Sequence, residues 1–90
     1  MKVQIHIENI QETVEAPDAA AVLHLVKREA ARRAPFLLRG VINAMSDLTF
    51  AAEAVKRANS ANGRSDALPR SAQEFLDWAV TRGYATVGQP

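Results

Sequence analysis

The side chains that could carry out catalysis or hold a metal ion are few in this 90-residue chain. It has two histidines, His6 and His24, and no cysteine. A zinc-type site needs three or four protein ligands, and neither histidine has a second ligand at hairpin or helical spacing. The lack of cysteine also excludes disulfides, thiolate nucleophiles and sulfur-ligated metals. The sequence therefore predicts no metal site and no bound cofactor.

The candidate nucleophiles lack the neighbours that would activate them. A serine nucleophile needs a base, and the base needs a third group to orient it. The four glycines are isolated from one another, so no phosphate-binding glycine loop is present. Glu12, Glu15 and Asp18 form a carboxylate cluster of the kind found on solvated faces. The serines stand at predicted helix starts or in a polar loop: Ser46, Ser60, Ser65 and Ser71. The sequence therefore predicts that the protein is not an enzyme.

Basic residues are concentrated in one stretch of the chain. The net charge is only +1, but residues 19–40 set five basic side chains against the single carboxylate of Glu29. Clustered arginines and lysines on one face can contact nucleic-acid phosphates. The alternative to an external partner is a contact within the molecule, in which the acidic segment 1–18 lies over the basic helix. The candidate contacts to an anion or a nucleic acid are Lys27, Arg28, Arg32, Arg33 and Arg39.

The N-terminal third of the chain predicts a β-hairpin followed by a helix. Val3, Ile5 and Ile7 alternate with polar residues, which indicates a strand over about 2–8 with one buried face. A polar turn and a return strand over about 11–16 follow. Asp18 can cap the first turn of a helix, and the alanines behind it favour helical structure. We expect this helix over about 18–34, because Pro35 ends it.

The longest periodic stretch predicts a second helix over about 36–60. Small and branched apolar residues recur in it every seven residues and form a narrow seam that suits another helix. Ser46 and Asp47 could instead cap a new helix and divide this one, but the unbroken phase of the seam favours a single helix. The residues predicted to form a partner or oligomer interface are Phe36, Val41, Ala44, Leu48, Phe50, Ala51 and Val55.

The C-terminal third predicts a loop, a helix and a short strand. Residues 59–70 are polar and rich in turn formers. Ser71 and Glu74 have the spacing of a capping box, which indicates a helix over about 71–82. We expect Phe75 and Trp78 of this helix to pack near Leu48 and Val55. Residues 84–87 have the composition of a strand, which should join the hairpin because an isolated two-stranded hairpin is marginal in water. A frayed tail is expected at 88–90.

Length and composition indicate a single α+β domain over residues 1–90. The chain has 17 alanines, so its core is thinner than its apolar fraction of 48% suggests. No apolar run approaches the length of a membrane span, and the N-terminus alternates like a strand rather than a signal peptide. The sequence therefore predicts no membrane partner and a cytoplasmic location. The high alanine and arginine content is typical of a bacterial-type protein from a GC-rich genome.

These patterns favour a non-catalytic protein–protein interaction module or a small accessory or regulatory subunit. Because the core is thin and the long helix carries a seam, we expect a homodimer formed through that helix, or binding to another protein. The alternative is a nucleic-acid-binding regulator that uses the basic stretch 27–39. The low aromatic content of 6% disfavours a base-stacking surface.

Overall fold

The fold is α+β, as predicted. The computed structural model describes residues 1–7 and 10–88. Glu8 and Asn9 of the predicted turn, and Gln89 and Pro90 of the predicted tail, lie outside the described residues. In chain order the elements are β1 (Lys2–Ile7), β2 (Ile10–Glu15), α1 (Ala19–Arg33), α2 (Phe36–Ala44), α3 (Asp47–Asn62), α4 (Ala72–Thr81) and β3 (Ala85–Gly88).

The three strands form one antiparallel sheet in the order β2-β1-β3. Val3 in the central strand is paired with Val14 of β2 and with Val87 of β3. The prediction that the C-terminal strand joins the hairpin is therefore confirmed. Strand β3 extends to Gly88, which is paired with Lys2, so the ordered strand continues one residue beyond the prediction.

The sheet packs its inner face against α1 and α4. Val3 and Ile5 are buried, as their alternation with exposed polar residues predicts. Helix α1 starts at Asp18, whose side chain accepts a hydrogen bond from the amide of Ala21 at 2.9 Å. We call the core formed here the first core cluster; it consists of Val3, Ile5, Ala16, Ala19, Val22, Leu76, Ala79 and Ala85.

A second core cluster joins α1, α3 and α4. It consists of Leu23, Ala51, Val55 and Phe75. Val55 is fully buried and Phe75 is 5% exposed, which confirms the predicted contact between α4 and α3. Trp78 is half-buried and stacks on Phe75, with 5.8 Å between the ring centroids. Leu48 is 40% exposed and lies outside the cluster, so that part of the predicted packing is wrong.

The predicted single helix over 36–60 is wrong, because the chain breaks it into α2 and α3. Met45 and Ser46 both have extended backbone conformations between the two helices. Ser46 then caps α3, and its hydroxyl accepts a hydrogen bond from the amide of Thr49 at 3.1 Å. The loop after α3 begins at Gly63, whose left-handed conformation (φ 63°) favours glycine.

Candidate interaction surface

Helix α2 lies on the surface of the molecule, where it packs against α1 and has no buried residue. Ile42 and Met45 are the half-buried apolar residues of this segment and mark the side turned towards α1. The opposite side carries no charged or polar side chain, and we call it the outward α2 face. It consists of Phe36, Leu37, Gly40, Val41 and Ala44, with Phe36 82% and Leu37 85% exposed. An apolar side of this kind is normally turned inward.

Gly40 lies at the centre of the outward α2 face. A methyl group added there would meet no side chain or neighbouring segment within 4 Å, so packing within this monomer does not require glycine. Glycine costs about 0.8–1 kcal/mol relative to alanine in a helix interior. Together with Ala44 one turn later, Gly40 leaves a flat strip on which a second backbone can approach closely.

Lys27 fixes the position of α2. Its side chain is buried, and its Nζ donates a hydrogen bond to the carbonyl oxygen of Met45 at 2.8 Å. The same ammonium lies 2.9 Å from Asp47 Oδ1, and the Nδ1 of His24 lies 3.2 Å from Asp47 Oδ2. Lys27, followed by His24, holds the pKa of the Asp47 carboxyl below its usual value. The prediction that Lys27 contacts an external anion is wrong, because the ammonium is already used inside the molecule.

The predicted interface residues do not share one surface. Phe36, Val41, Ala44 and Leu48 are exposed, whereas Ala51 and Val55 are 0% exposed in the second core cluster. The assignment of Ala51 and Val55 to an intermolecular interface is therefore wrong. The change of direction at Met45 and Ser46 accounts for the difference, because it turns the second half of the seam into the core. Phe50 is half-buried and packs against the second core cluster.

Three of the predicted basic residues line one cleft between α1 and α2. These are Arg28, Arg32 and Arg39, joined by Asn43 of α2 and by Glu29, which pairs with Arg32. Arg39 donates from Nη2 to the carbonyl oxygen of Arg32 at 3.4 Å, which bridges the two helices. Within the described residues, Arg28 and Arg39 form no ion pair with a carboxylate. We call this group the basic cleft.

Arg33 faces away from the basic cleft and joins α1 to the hairpin. Its Nη2 donates to Glu12 Oε1 and its Nε donates to Glu29 Oε1, both at 2.8 Å. Arg32 also donates two hydrogen bonds to Glu29. Arg32 and Arg33 together lower the pKa of Glu29 to about 2. Arg33 therefore corresponds to the internal alternative, in which the acidic hairpin neutralises part of the basic helix.

A polar cluster around Asp66, which the sequence analysis missed, ties the loop after α3 to α4. Asp66 accepts hydrogen bonds from Trp78 Nε1 at 2.9 Å and from two nitrogens of Arg82. Arg82, followed by Trp78, lowers the pKa of Asp66. Arg64 donates from Nη2 to the Tyr84 hydroxyl at 2.8 Å. The sequence gives no sufficient signal for this cluster. Asp66 lies in a loop-like segment twelve residues before Trp78, and that spacing does not by itself imply a contact.

Among residues 1–7 and 10–88, no three side chains of histidine, aspartate or glutamate lie together in a way that could hold a metal ion. No helix in the described part of the chain is both long enough and apolar enough to cross a bilayer. The chain matches no protein-family model, no curated protein and no solved structure in comparisons with each.

Proposed function

We propose that the protein is a non-catalytic interaction module, a small cytoplasmic accessory or regulatory subunit that self-associates through the outward α2 face. The observation that carries this proposal is the apolar character of that face on a surface helix. A contiguous apolar patch on a soluble protein is typical of an interaction site. The absence of charge from the face means that two copies can meet without like-charge repulsion.

The shape of the face favours a second copy as the occupant. Phe36, Gly40 and Ala44 follow one another at intervals of one turn. When two such helices cross antiparallel about Gly40, Phe36 of each copy lies opposite Ala44 of the other. Large side chains then meet small ones, and the glycines allow the backbones to approach. A two-fold axis is the commonest symmetry of such a contact.

The substitution Gly40→Leu tests this proposal, because its effects on the monomer and on the dimer have opposite signs. Leucine should stabilise α2 by somewhat less than about 1 kcal/mol, since it replaces glycine in a helix at an exposed position where an added Cβ meets nothing within 4 Å. The same side chain should prevent close crossing of two helices. We expect the wild type to sediment at micromolar concentration with about twice the monomer mass of 9.8 kDa, and Gly40→Leu to sediment as a monomer.

A charge substitution provides the second measurement. Leu37→Glu should also give a monomer, whereas Leu68→Glu, which changes an exposed leucine in the loop after α3, should leave the dimer intact. Circular dichroism verifies that each variant is folded. A wild-type mass of 9.8 kDa at every concentration would disprove self-association. A dimer that Gly40→Leu leaves unchanged would place the interface elsewhere.

A second candidate function rests on the basic cleft. Arg28, Arg32 and Arg39 on one cleft wall could contact nucleic-acid phosphates, which would make the protein a nucleic-acid-binding regulator. Lys27 is unavailable to such a contact because it is buried, and Arg33 is bound to Glu12 and Glu29. Arg32 is also paired with Glu29, so Arg28 and Arg39 are the cleft arginines without a carboxylate partner among the described residues. Binding of an oligonucleotide that weakens steeply with salt and falls in Arg28→Gln would support this function. No binding at low salt would exclude it.

A further inference from the structure

Strand β2 forms one edge of the sheet, and a row of its main-chain groups has no partner strand. The amide of Ala16 donates to the carbonyl oxygen of Met1 at 2.9 Å, which fixes the phase of the hydrogen bonds between β1 and β2. Hydrogen-bonded and non-hydrogen-bonded pairs alternate along an antiparallel ladder. The N–H and C=O groups of Thr13 and Glu15 therefore point away from β1, and within the described part of the chain they form no main-chain hydrogen bond.

An apolar groove of about 380 Å³ lies directly beside this edge, and we call it the β2 groove. Thr13 and Glu15 line it, although their side chains lie on the solvent face of the sheet, opposite the exposed Gln4 and Lys2. The part of these two residues that borders the groove is therefore their main chain. The helices contribute the apolar side chains of Leu25, Val26, Ala30, Phe50, Ala54 and Phe75.

The charges around the β2 groove are balanced within the molecule. Arg33 binds both Glu12 and Glu29, and Arg32 also binds Glu29. The third carboxylate of the lining, that of Glu15, lies on the solvent face of the sheet. The groove therefore favours uncharged apolar side chains, because their burial removes apolar surface from water on both sides of the contact.

We propose that the β2 edge and the β2 groove together bind an extended segment of a partner protein, which adds to the sheet as a fourth strand. It runs antiparallel to β2, like the other pairs of this sheet, and its main chain pairs with the open groups of Thr13 and Glu15. Residues opposite each other in such a pair face the same side, so the partner residues opposite Glu12 and Val14 enter the groove. The segment recognised has apolar residues in the groove that alternate with polar residues in solvent.

A second copy of this chain suits the site less well than such a segment. Strand β2 of another molecule would turn the charged side chain of Glu12 into the apolar groove, where burial of a carboxylate is costly. At the other edge of the sheet, the described residues of β3 do not line the groove. The outward α2 face contributes no residue to it either, so strand addition and self-association through α2 are independent of each other.

Three peptides with one alternating sequence test strand addition. They are acetyl-Thr-Val-Thr-Leu-Thr-Val-Thr-amide, the same peptide N-methylated at its threonines, and the same peptide N-methylated at its valines and leucine. In the proposed arrangement the threonine amides point to β2, whereas the valine and leucine amides point to solvent. We expect methylation of the threonines to weaken binding at least about tenfold, because it removes the hydrogen bonds to the edge. Methylation of the valines and leucine should leave the affinity, measured by titration calorimetry, nearly unchanged.

Amide hydrogen exchange followed by NMR locates the contact. The amides of Thr13 and Glu15 should exchange more slowly when the unmethylated peptide is bound, whereas the Val87 amide at the free edge of β3 should not change. Thr13→Pro should abolish binding, since proline removes an edge amide that the folded sheet does not use. Val87→Pro makes the same change at the other edge and should retain binding. Gly40→Leu should also retain it.

Circular dichroism verifies that each variant is folded. If Thr13→Pro is unfolded, Ala54→Leu replaces it, because leucine fills the β2 groove, with Ala61→Leu at an exposed position of α3 as its control. The proposal is wrong if the unmethylated peptide does not bind at millimolar concentration, if methylation of the threonines has no greater effect than that of the valines and leucine, or if the folded variant binds like the wild type. A mass that falls in Thr13→Pro but not in Gly40→Leu would overturn it in favour of a second copy at the β2 edge.

Discussion

Asp66 is the residue whose contacts hold the longest loop in place. Its carboxylate accepts hydrogen bonds from Trp78 and Arg82 of the α4 region, and Arg64 Nε lies 3.9 Å from it. The neighbouring contact between Arg64 and the Tyr84 hydroxyl extends the same network towards β3. One carboxylate thus connects the loop after α3 with the helix and the strand that follow it.

We expect Asp66→Asn to destabilise the protein in a pH-dependent way. Arg82 and Trp78 lower the pKa of Asp66 in the folded protein. A depressed folded-state pKa adds stability above the unfolded value of about 3.9, and this stability is lost as the pH falls through the lower folded-state pKa. The difference in unfolding free energy between wild type and variant should therefore be constant from pH 5 to 8 and shrink below about pH 4.

Urea denaturation at several pH values measures this difference. Asp77→Asn is the matched control, because Asp77 is an exposed aspartate whose one hydrogen bond within the described part of the chain comes from Gln73, one turn away on α4. Its effect should stay within about 0.5 kcal/mol. An Asp66→Asn difference that remains undiminished at pH 2 would show that the ionised carboxylate is not the source of the stability.

The helix caps were predicted correctly because their signals are local. Asp18 and Ser71 cap helices as their positions imply, because a cap depends on residues within three positions. Ala51 and Val55 show the limit of such signals. A heptad position looks the same whether the residue faces the core or a partner, and only the path of the chain decides between the two. The same holds for Asp66, whose partners are distant in sequence.

At the level of elements, the junction between α2 and α3 is determined by contacts with α1. Met45 lies 18 positions from Lys27, whose Nζ binds its carbonyl oxygen. The apolar periodicity within 36–60 continues across Met45 and therefore favoured an uninterrupted helix. It carries no information about the contact with Lys27. The only local signal for the break was the capping potential of Ser46. The break then decides which half of the apolar seam is buried and which half is left as the outward α2 face.

Lys27→Met should loosen α2 more than the rest of the fold. Methionine preserves the apolar stem but leaves the Met45 carbonyl and the Asp47 carboxylate without their buried donor, a loss of about 1–3 kcal/mol. Amide hydrogen exchange should accelerate across residues 38–44 more than within the first core cluster. Lys56→Met, which removes an exposed pair with Glu53, should have no such effect. Equal acceleration of exchange in all elements would contradict a local role for Lys27.

At the scale of the whole molecule, the two core clusters should unfold together. Helices α1 and α4 contribute residues to both, since Val22 and Leu76 lie in the first cluster and Leu23 and Phe75 in the second. A thin core divided between two clusters is stable only when both are formed. We therefore expect a single transition in urea, with circular dichroism and Trp78 fluorescence giving the same midpoint.

Two leucine substitutions test how this stability is distributed. Leu23→Ala removes a side chain that is 2% exposed and should cost about 2–5 kcal/mol, with both spectroscopic signals shifted equally. Leu37→Ala removes one that is 85% exposed and should change the stability of the monomer by less than about 0.5 kcal/mol. The second measurement is made on a Gly40→Leu background, in which self-association is blocked. Separate midpoints for the two signals in Leu23→Ala would show that the clusters unfold independently.

The position of β3 beside β1 has a consequence for the order in which the chain folds during its synthesis. Val3 leaves the ribosome first, but its partner Val87 follows 84 residues later. At roughly 5–20 residues per second, this interval lasts roughly 4–17 s, whereas a hairpin forms in about 1–10 μs. Strands β1 and β2 therefore have time to pair long before β3 arrives, and one edge of the central strand stays open during that interval. A nascent chain in this state can add a strand from another molecule at that edge, and this exposure ends only when β3 emerges and pairs with β1.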